Sequence, residues 1–189
     1  MRIYVIDIET TGLDGGPKDH VVEVGIAMVD TVAMTVKGKY SSIVGHDVDA
    51  WDGEARDAWV FKNTDLTLER VQKAHPINRP GNVALDIDHM IRDGAVTSYN
   101  TDFDFRRFLS RDPWILTLNV WPCVMQATMR HLGSKKRVSL EKAYNELCPD
   151  DPAGLGGRTM HRAMSDAVMA GHVLLGLIGR GAYCMGASL

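Results

Sequence analysis

The chain has 189 residues, 45% of them hydrophobic and 24% charged, which suits one globular domain with a full core. A formal net charge of −3 speaks against a general nucleic-acid coat, which is basic. Three widely spaced cysteines without a Cys-x-x-Cys pair point to neither a disulfide framework nor a thiolate zinc site. Asp7 interrupts the first apolar run too early for a signal peptide and no segment stays apolar long enough to span a bilayer, so a soluble, cytoplasmic protein without membrane contact is expected.

In chain order, residues 2–7 form a short β-branched apolar run, and the turn formers from Thr10 to Pro17 follow it: a buried strand, then a loop. Val21 to Val29 and Val32 to Val44 have strand composition with a hairpin about Asp30-Thr31, giving three consecutive antiparallel strands. Residues 46–64 show no clear period and read as mostly loop, and His75 to Gly81, with two prolines, is a break. Apolar residues at helical spacing from Val83 to Arg92 precede a strand-like Ala95 to Tyr99. Helical spacing resumes from Phe103 to Leu109, Pro113 stops it, and Ile115 to Val120 looks extended. Ser139 starts a helix through Leu147, a loop spans Asp150 to Gly157, and a last helix runs from about Arg162 to Ile178. Antiparallel strands followed by alternating elements predict an α/β fold, a mixed sheet flanked by helices, with residues 1–178 as a single domain and 179–189 as a short flexible tail.

Acidic residues occupy unusual places in this pattern. Asp7 and Glu9 end the first strand two residues apart, so a persisting strand presents both on one face, although two acids after a strand also suit a plain turn. Asn100-Thr101-Asp102-Phe103-Asp104 follows the second strand exit; Asn100 can cap the coming helix, and Phe103 packing inward singles out Asp104 rather than Asp102. In the last helix Ala163, Ala167, Ala170, Leu174 and Leu177 form one stripe, and Asp166 falls within it. An unpaired carboxylate there costs several kcal/mol, so Asp166 needs either an arginine or lysine, such as Arg158 or Arg162, or a metal ion. His161 precedes Asp166 by five residues, about 140° around an ideal helix, so it belongs at or before the helix start. Four converging carboxylates repel one another unless cations join them, and hard oxygen ligands favour Mg²⁺ or Mn²⁺ over zinc. Two such ions activate a water and stabilise a leaving oxygen at phosphorus, and a histidine, with an ordinary pKa of about 6.5, takes the proton of that water.

On these residues the chain resembles the DEDDh 3′→5′ exonucleases, a family that includes the proofreading subunit of bacterial replicative polymerases. Its motifs are similar to Val5-Ile6-Asp7-Ile8-Glu9-Thr10-Thr11-Gly12-Leu13, to Tyr99-Asn100-Thr101-Asp102-Phe103-Asp104 and to His161-Arg162-Ala163-Met164-Ser165-Asp166, in that order, and the likeness takes in Val21 to Gly25 and His75-Pro76-Ile77. The resemblance implies a ribonuclease H-like sheet. It implies Asp7, Glu9, Asp104 and Asp166 as ligands of two Mg²⁺ or Mn²⁺ ions, His161 as general base, and Thr10, Gly12 and Asn100 near the terminal nucleotide. It also implies removal of nucleoside 5′-monophosphates from a nucleic-acid 3′ end and a homodimer or polymerase partner; DNA is expected before RNA, and single-stranded 3′ ends. Tyr99 stands where the family often has a histidine.

Arg130, Lys135, Lys136 and Arg137 form one basic cluster and Arg106, Arg107 and Arg111 another, each able to hold phosphates or merely to face solvent. Trp51 and Trp59 suit base stacking, and Trp114 and Trp121 suit core packing. The glycines of 154–157 are no phosphate cradle, since no strand leads into them. Rival assignments are an exoribonuclease on short RNA, a phosphatase built on an Asp-x-Asp-x-Thr-like motif at Asp7, and a catalytically idle subunit that binds nucleic acid or a polymerase.

Overall fold

The computed structural model describes residues 1–92, 94–155, 161–184 and 186. Its centre is a four-stranded sheet ordered β3-β2-β1-β4, built from β1 (Arg2–Thr10), β2 (Val21–Asp30), β3 (Thr35–Ile43) and β4 (Ala95–Thr97). β1 runs antiparallel to β2, and β2 to β3, whereas β4 pairs with β1 in parallel. The hairpin turns just beyond Asp30, whose carboxylate accepts the N–H groups of Val32 and Ala33. Of the extended stretch expected over 115–120, only Val120 joins the sheet, bridging Val96 in parallel.

Alternation along β1 sorts its side chains between two cores. Ile3 and Val5 face one layer made by α5 (Val124–His131), α6 (Leu140–Leu147) and α7 (Ala163–Gly179). Ile6 and Ile8 face the other, made by α4 (Pro80–Ile91) and a π-helical segment, Asp102–Leu109. The flanked mixed sheet is the architecture expected from the sequence, and α6 opens as anticipated at Ser139, whose hydroxyl accepts the Lys142 N–H at 3.2 Å. α5 carries no element in the sequence-based outline, because its basic end obscures a short apolar face.

The segment expected to be loop, 46–64, is instead mostly short helix. It holds a 3₁₀ turn at Val48–Ala50, then α1 (Gly53–Arg56) and α2 (Trp59–Asn63), and α3 (Leu68–Ala74) follows. Elements of three to five residues are too short to display a 3.6-residue period, so they leave no pattern to read. Their apolar residues Val48, Ala58, Val60, Leu66 and Val71 close a third cluster over Val22 of β2.

The tail expected to be flexible starts where α7 ends, yet Tyr183 is buried and its hydroxyl donates to the Pro122 carbonyl at 2.6 Å. Positions 185 and 187–189 of that tail lie outside the described residues. Cys123 and Cys148 are buried free thiols and Cys184 an exposed one, as expected. Among the described residues no helix is long and apolar enough to cross a membrane.

Candidate active site

The site lies where the apolar half of one β1 face gives way to acid. Ile3 and Val5 meet the apolar body of α7, and the next two residues on that face are Asp7 and Glu9. The strand persists through Thr10, so the two acids do share a face. α7 lies over it closely because β2, directly beside Asp7 in the register, carries Gly25. A Cβ on Gly25 would stand 2.2 Å from the Ala163 carbonyl carbon and 2.3 Å from the Met164 nitrogen. With no side chain in the way, the first turn of α7 settles on the sheet and brings Asp166 down onto Asp7 and Glu9.

Asp104 arrives from the opposite layer. It is 3% exposed within the π-helical segment, anchored by buried Phe105, Phe108 and Leu109. Phe103 packs edge-on against Phe108 at 5.1 Å, so the inward aromatic beside the acid is realised. Asp102 turns away, its side chain 42% exposed and bound to Arg106 and Arg107. Asn100 contributes its backbone rather than a side-chain cap: its carbonyl accepts the N–H groups of Phe103 and Asp104 at 2.9 and 3.0 Å.

The four acids form one electrostatic unit. Burial first, then the carboxylates of Asp104, Asp166, Glu9 and Glu23, raise the Asp7 carboxyl well above the ordinary range. Burial, Asp166, Glu23 and Asp104 push Glu9 up to about 8, with Arg162 pulling the other way. Burial pushes Asp104 to about 7, with the nearby Ser98 hydroxyl and the N–H groups of Asn100 and Asp104 pulling the other way. Asp166 rises to about 6 through burial and Glu23, opposed by the His161 N–H. Among the described residues no arginine or lysine pairs with any of these four. Asp166 is only 9% exposed; its Oδ2 accepts the His161 N–H at 3.3 Å, and its buried Oδ1 has no hydrogen-bond partner among the described residues. Carboxylates held together at this cost, one buried oxygen unpaired, fit hard divalent cations as the missing positive charge.

His161 sits two residues before α7, exposed, with its backbone at φ +82°. A ring nitrogen lies within 4.8 Å of carboxylate oxygens of both Glu9 and Asp166. Its ring meets that of Trp59 edge-on at 4.8 Å. Left-handed backbone is uncommon for a residue with a Cβ, and here it serves to turn the imidazole back toward the acids.

The arginine beside it is not the partner of Asp166. Arg162 grips Glu23 through Nε at 2.9 and 3.0 Å, and Asp65 through a second guanidinium nitrogen at 2.6 and 2.8 Å. Glu23 is 1% exposed, stands across from Glu9 on β2, and accepts the Ala163 N–H at 3.0 Å. The carboxylate thereby caps α7 and the guanidinium neutralises it, fixing the helix end that carries His161 and Asp166. On the sequence alone Arg162 is only a possible mate for Asp166; the pairing with Glu23 spans 139 residues and has no local signature. Arg158, the other possible mate, and Gly156 and Gly157 of the glycine loop lie outside the described residues.

Thr10 and Gly12 shape the turn after β1. The Thr10 hydroxyl donates to the Gly12 carbonyl at 2.7 Å, and a Cβ on Gly12 would stand 2.3 Å from Asp19 Oδ1. Tyr99 is buried, and its hydroxyl donates to the carbonyls of Val138 and Ser139 at 2.8 and 3.1 Å, so it braces the start of α6. Arg106 and Arg107 are engaged with Asp102, while Arg130, Lys135, Lys136 and Arg137 have no ion pair among the described residues. Trp51 is partly buried and stacks on His20 at 4.6 Å, whereas Trp59 is 54% exposed. Trp114 and Trp121 are buried, as expected.

Comparison with known proteins agrees with this fold and gives the family. The sequence matches the exonuclease family over residues 4–174. The fold is similar to exonuclease X in complex with 5′ overhanging duplex DNA, with a TM-score of 0.64 and 22% identity over 96% of this chain and 94% of that one. It is also similar to the nuclease domain of 3′hExo, a DEDDh family member bound to rAMP, with a TM-score of 0.68 and 11% identity over 100% and 97% of the two chains. A third similar structure is a 3′-exonuclease recognising the histone mRNA stem-loop, with a TM-score of 0.72 and 12% identity over 96% of this chain and 64% of that one. No curated protein matches the sequence significantly. The chain belongs to the exonuclease family, and its three motifs resemble those of the DEDDh 3′→5′ exonucleases.

Proposed function

We propose that the protein removes nucleoside 5′-monophosphates from single-stranded DNA 3′ ends, with Asp7, Glu9, Asp104 and Asp166 as ligands for two Mg²⁺ or Mn²⁺ ions. What supports this is the approach of Glu9, His161 and Asp166 within 4.8 Å, with Asp7 and Asp104 in the same electrostatic unit, no arginine or lysine pairing with the four acids among the described residues, and a buried Asp166 oxygen that has no hydrogen-bond partner among them. Bound there, the ions supply Lewis acidity and neutralise the charge that builds at the phosphorus.

The protein's own groups do the rest. His161, on the open side of the acids, accepts at its ring nitrogen the proton of the attacking water. The water oxygen bonds to phosphorus, the P–O3′ bond breaks, and the penultimate nucleotide leaves with its 3′ oxygen, which takes a proton from solvent. Glu23 and Arg162 keep the imidazole and Asp166 in register by fixing the end of α7. Thr10, Gly12 and Asn100, at the two strand exits, border the place of the terminal nucleotide.

A second assignment, 3′→5′ digestion of short RNA, is favoured by the rAMP held in the 3′hExo nuclease domain. Matched 5′-labelled DNA and RNA single strands, incubated with Mn²⁺, decide between them. A ladder shortening from the 3′ end, faster on DNA, is expected. Faster RNA digestion selects the second assignment, and intact strands with both refute the proposal.

A further inference from the structure

The acids lie toward the carboxyl end of β1 and just past that of β4, and the amino ends of the same two parallel strands carry a different chemistry. There a cavity of about 490 Å³ opens between the start of β1, the end of α4 and the residue before β4. Arg2, His89, Arg92 and Asn119 line it, and all four are exposed. A second cavity, of about 610 Å³, begins at Thr101, next to Asn100, and is lined by Arg106, Ser110, Arg111 and Gln126. Val120 belongs to the wall of the second cavity and its neighbours Asn119 and Trp121 to the first. The two therefore meet at the edge of the sheet, where Val120 bridges Val96.

Charge sets this edge apart from the rest of an acidic chain. Its described walls hold four arginines and one carboxylate, Asp102, which Arg106 and Arg107 already share. Arg2 and Arg111 have no ion pair among the described residues, and Arg92 has only Asp88, at 3.8 Å. Scattered surface arginines are ordinary and need no ligand. These four instead follow one edge, from beside the segment that carries Asp104 to the far end of β1, and the same walls supply the neutral donors Ser110, Gln126 and Asn119. Guanidinium groups and neutral donors in a row suit a chain of phosphates, which proteins hold chiefly through its backbone. From Arg2 to Asp7, β1 advances by about 17 Å, which is about five nucleotides at the spacing of a stacked strand and fewer in an extended one.

We infer that the sheet edge from Thr101 to Arg2 is an exosite for the substrate strand upstream of its cleaved end, holding phosphates about five nucleotides from the 3′ terminus. This rests on the exonuclease function and extends it to substrate length. Affinity and kcat/KM rise until the strand spans the edge and then level off. Contacts to phosphate carry no sequence information, so the exosite accepts any base order.

The test compares a dinucleotide, which ends short of Arg2 and Arg92, with a dodecanucleotide, on the wild type and on Arg2→Ala/Arg92→Ala. The rate constant kcat/KM is measured in Mn²⁺, and the dodecanucleotide Kd by anisotropy with Ca²⁺ in its place over a range of salt, with thermal melts to verify folding. Two lost phosphate contacts flatten the slope of log K against log salt by about 1.4, on the order of 10- to 100-fold in Kd near ~50 mM salt and almost nothing near ~1 M. The double variant should show that loss on the dodecanucleotide and keep the wild-type kcat/KM on the dinucleotide. A dodecanucleotide with uncharged methylphosphonates at the third to sixth linkages from its 3′ end should bind the wild type at least as weakly as the unmodified strand binds the variant. A Kd unchanged by that modification overturns the proposal whether or not the variant folds. Equal losses on both lengths overturn it too, because they make Arg2 and Arg92 supports of the fold alone. A loss seen only with Arg130→Ala/Lys135→Ala would run the strand over the basic loop before α6 and overturn it likewise. Cleavage of both lengths with a Kd indifferent to Arg2 and Arg92 removes the exosite alone; a Kd that depends on them, with neither strand cleaved, removes the exonuclease function and leaves the exosite standing.

Discussion

Replacing Gly25 by alanine should separate the acids without touching one of them. The new Cβ would stand 2.2 to 2.3 Å from the backbone of Ala163 and Met164, against 3.4–4 Å for ordinary contact. Neither partner is the free end of a flexible side chain, so the first turn of α7 must retreat by roughly 1 Å, carrying Asp166 away from Asp7. Overpacking of this kind costs about 1–3 kcal/mol of stability, which a domain of this size tolerates. Misplacing a catalytic group by about 1 Å costs on the order of 10²-fold in rate, so activity should fall much further than stability. The assay pairs thermal unfolding with the rate on a 5′-labelled single strand in Mn²⁺. Gly53→Ala, where a Cβ meets nothing within 4 Å, serves as control and should keep the wild-type rate. If Gly25→Ala cleaves as fast as the control while remaining folded, the close seating of α7 is not what assembles the site.

Arg162→Ala leaves Glu23 buried without its cation, a loss of about 3–5 kcal/mol that a chemical denaturation midpoint will register, and Arg162→Lys should recover only part of it because the two-carboxylate grip needs a planar fork. His161→Ala should keep Mn²⁺ affinity by calorimetry and lose rate, with the deficit shrinking as pH rises and hydroxide replaces the general base; a variant that no longer binds Mn²⁺ would make His161 a ligand. In chelator the folded protein holds protons on Glu9, Asp104 and Asp166, raised to about 8, 7 and 6, that the unfolded chain has already released. Protons bound in excess by the folded state mean that stability falls as pH rises from about 4 to about 8. Melting temperatures in EDTA should decline across that window and recover on adding Mn²⁺, whereas a flat or rising profile contradicts the electrostatic picture.

Legibility in the sequence followed the length of each signal. The odd-numbered face of β1 and the stripe of α7 repeat over many residues, so the acids that break them stood out, and Asp104 could be told from Asp102 because an aromatic fixes the neighbour that points inward. The helices between 48 and 63 run three to five residues and left no period, which is why Trp59 entered only as a stacking candidate in a supposed loop. Nothing local marks Glu23 as the cap of a helix 140 residues later, nor Gly25 as the seat of that helix; both follow from packing that only three dimensions display. Tyr99, the departure from the family pattern, turned out to brace the backbone at Val138 and Ser139.

The direct check on the metal centre is anomalous diffraction from crystals grown with Mn²⁺. Signal enclosed by the carboxylates of Asp7, Glu9, Asp104 and Asp166, and absent from Asp166→Asn crystals prepared alike, is the expected result. Mn²⁺ found only at other surface acids, with these four side chains where they stand in the metal-free protein, would contradict a divalent-ion site and with it the proposed chemistry.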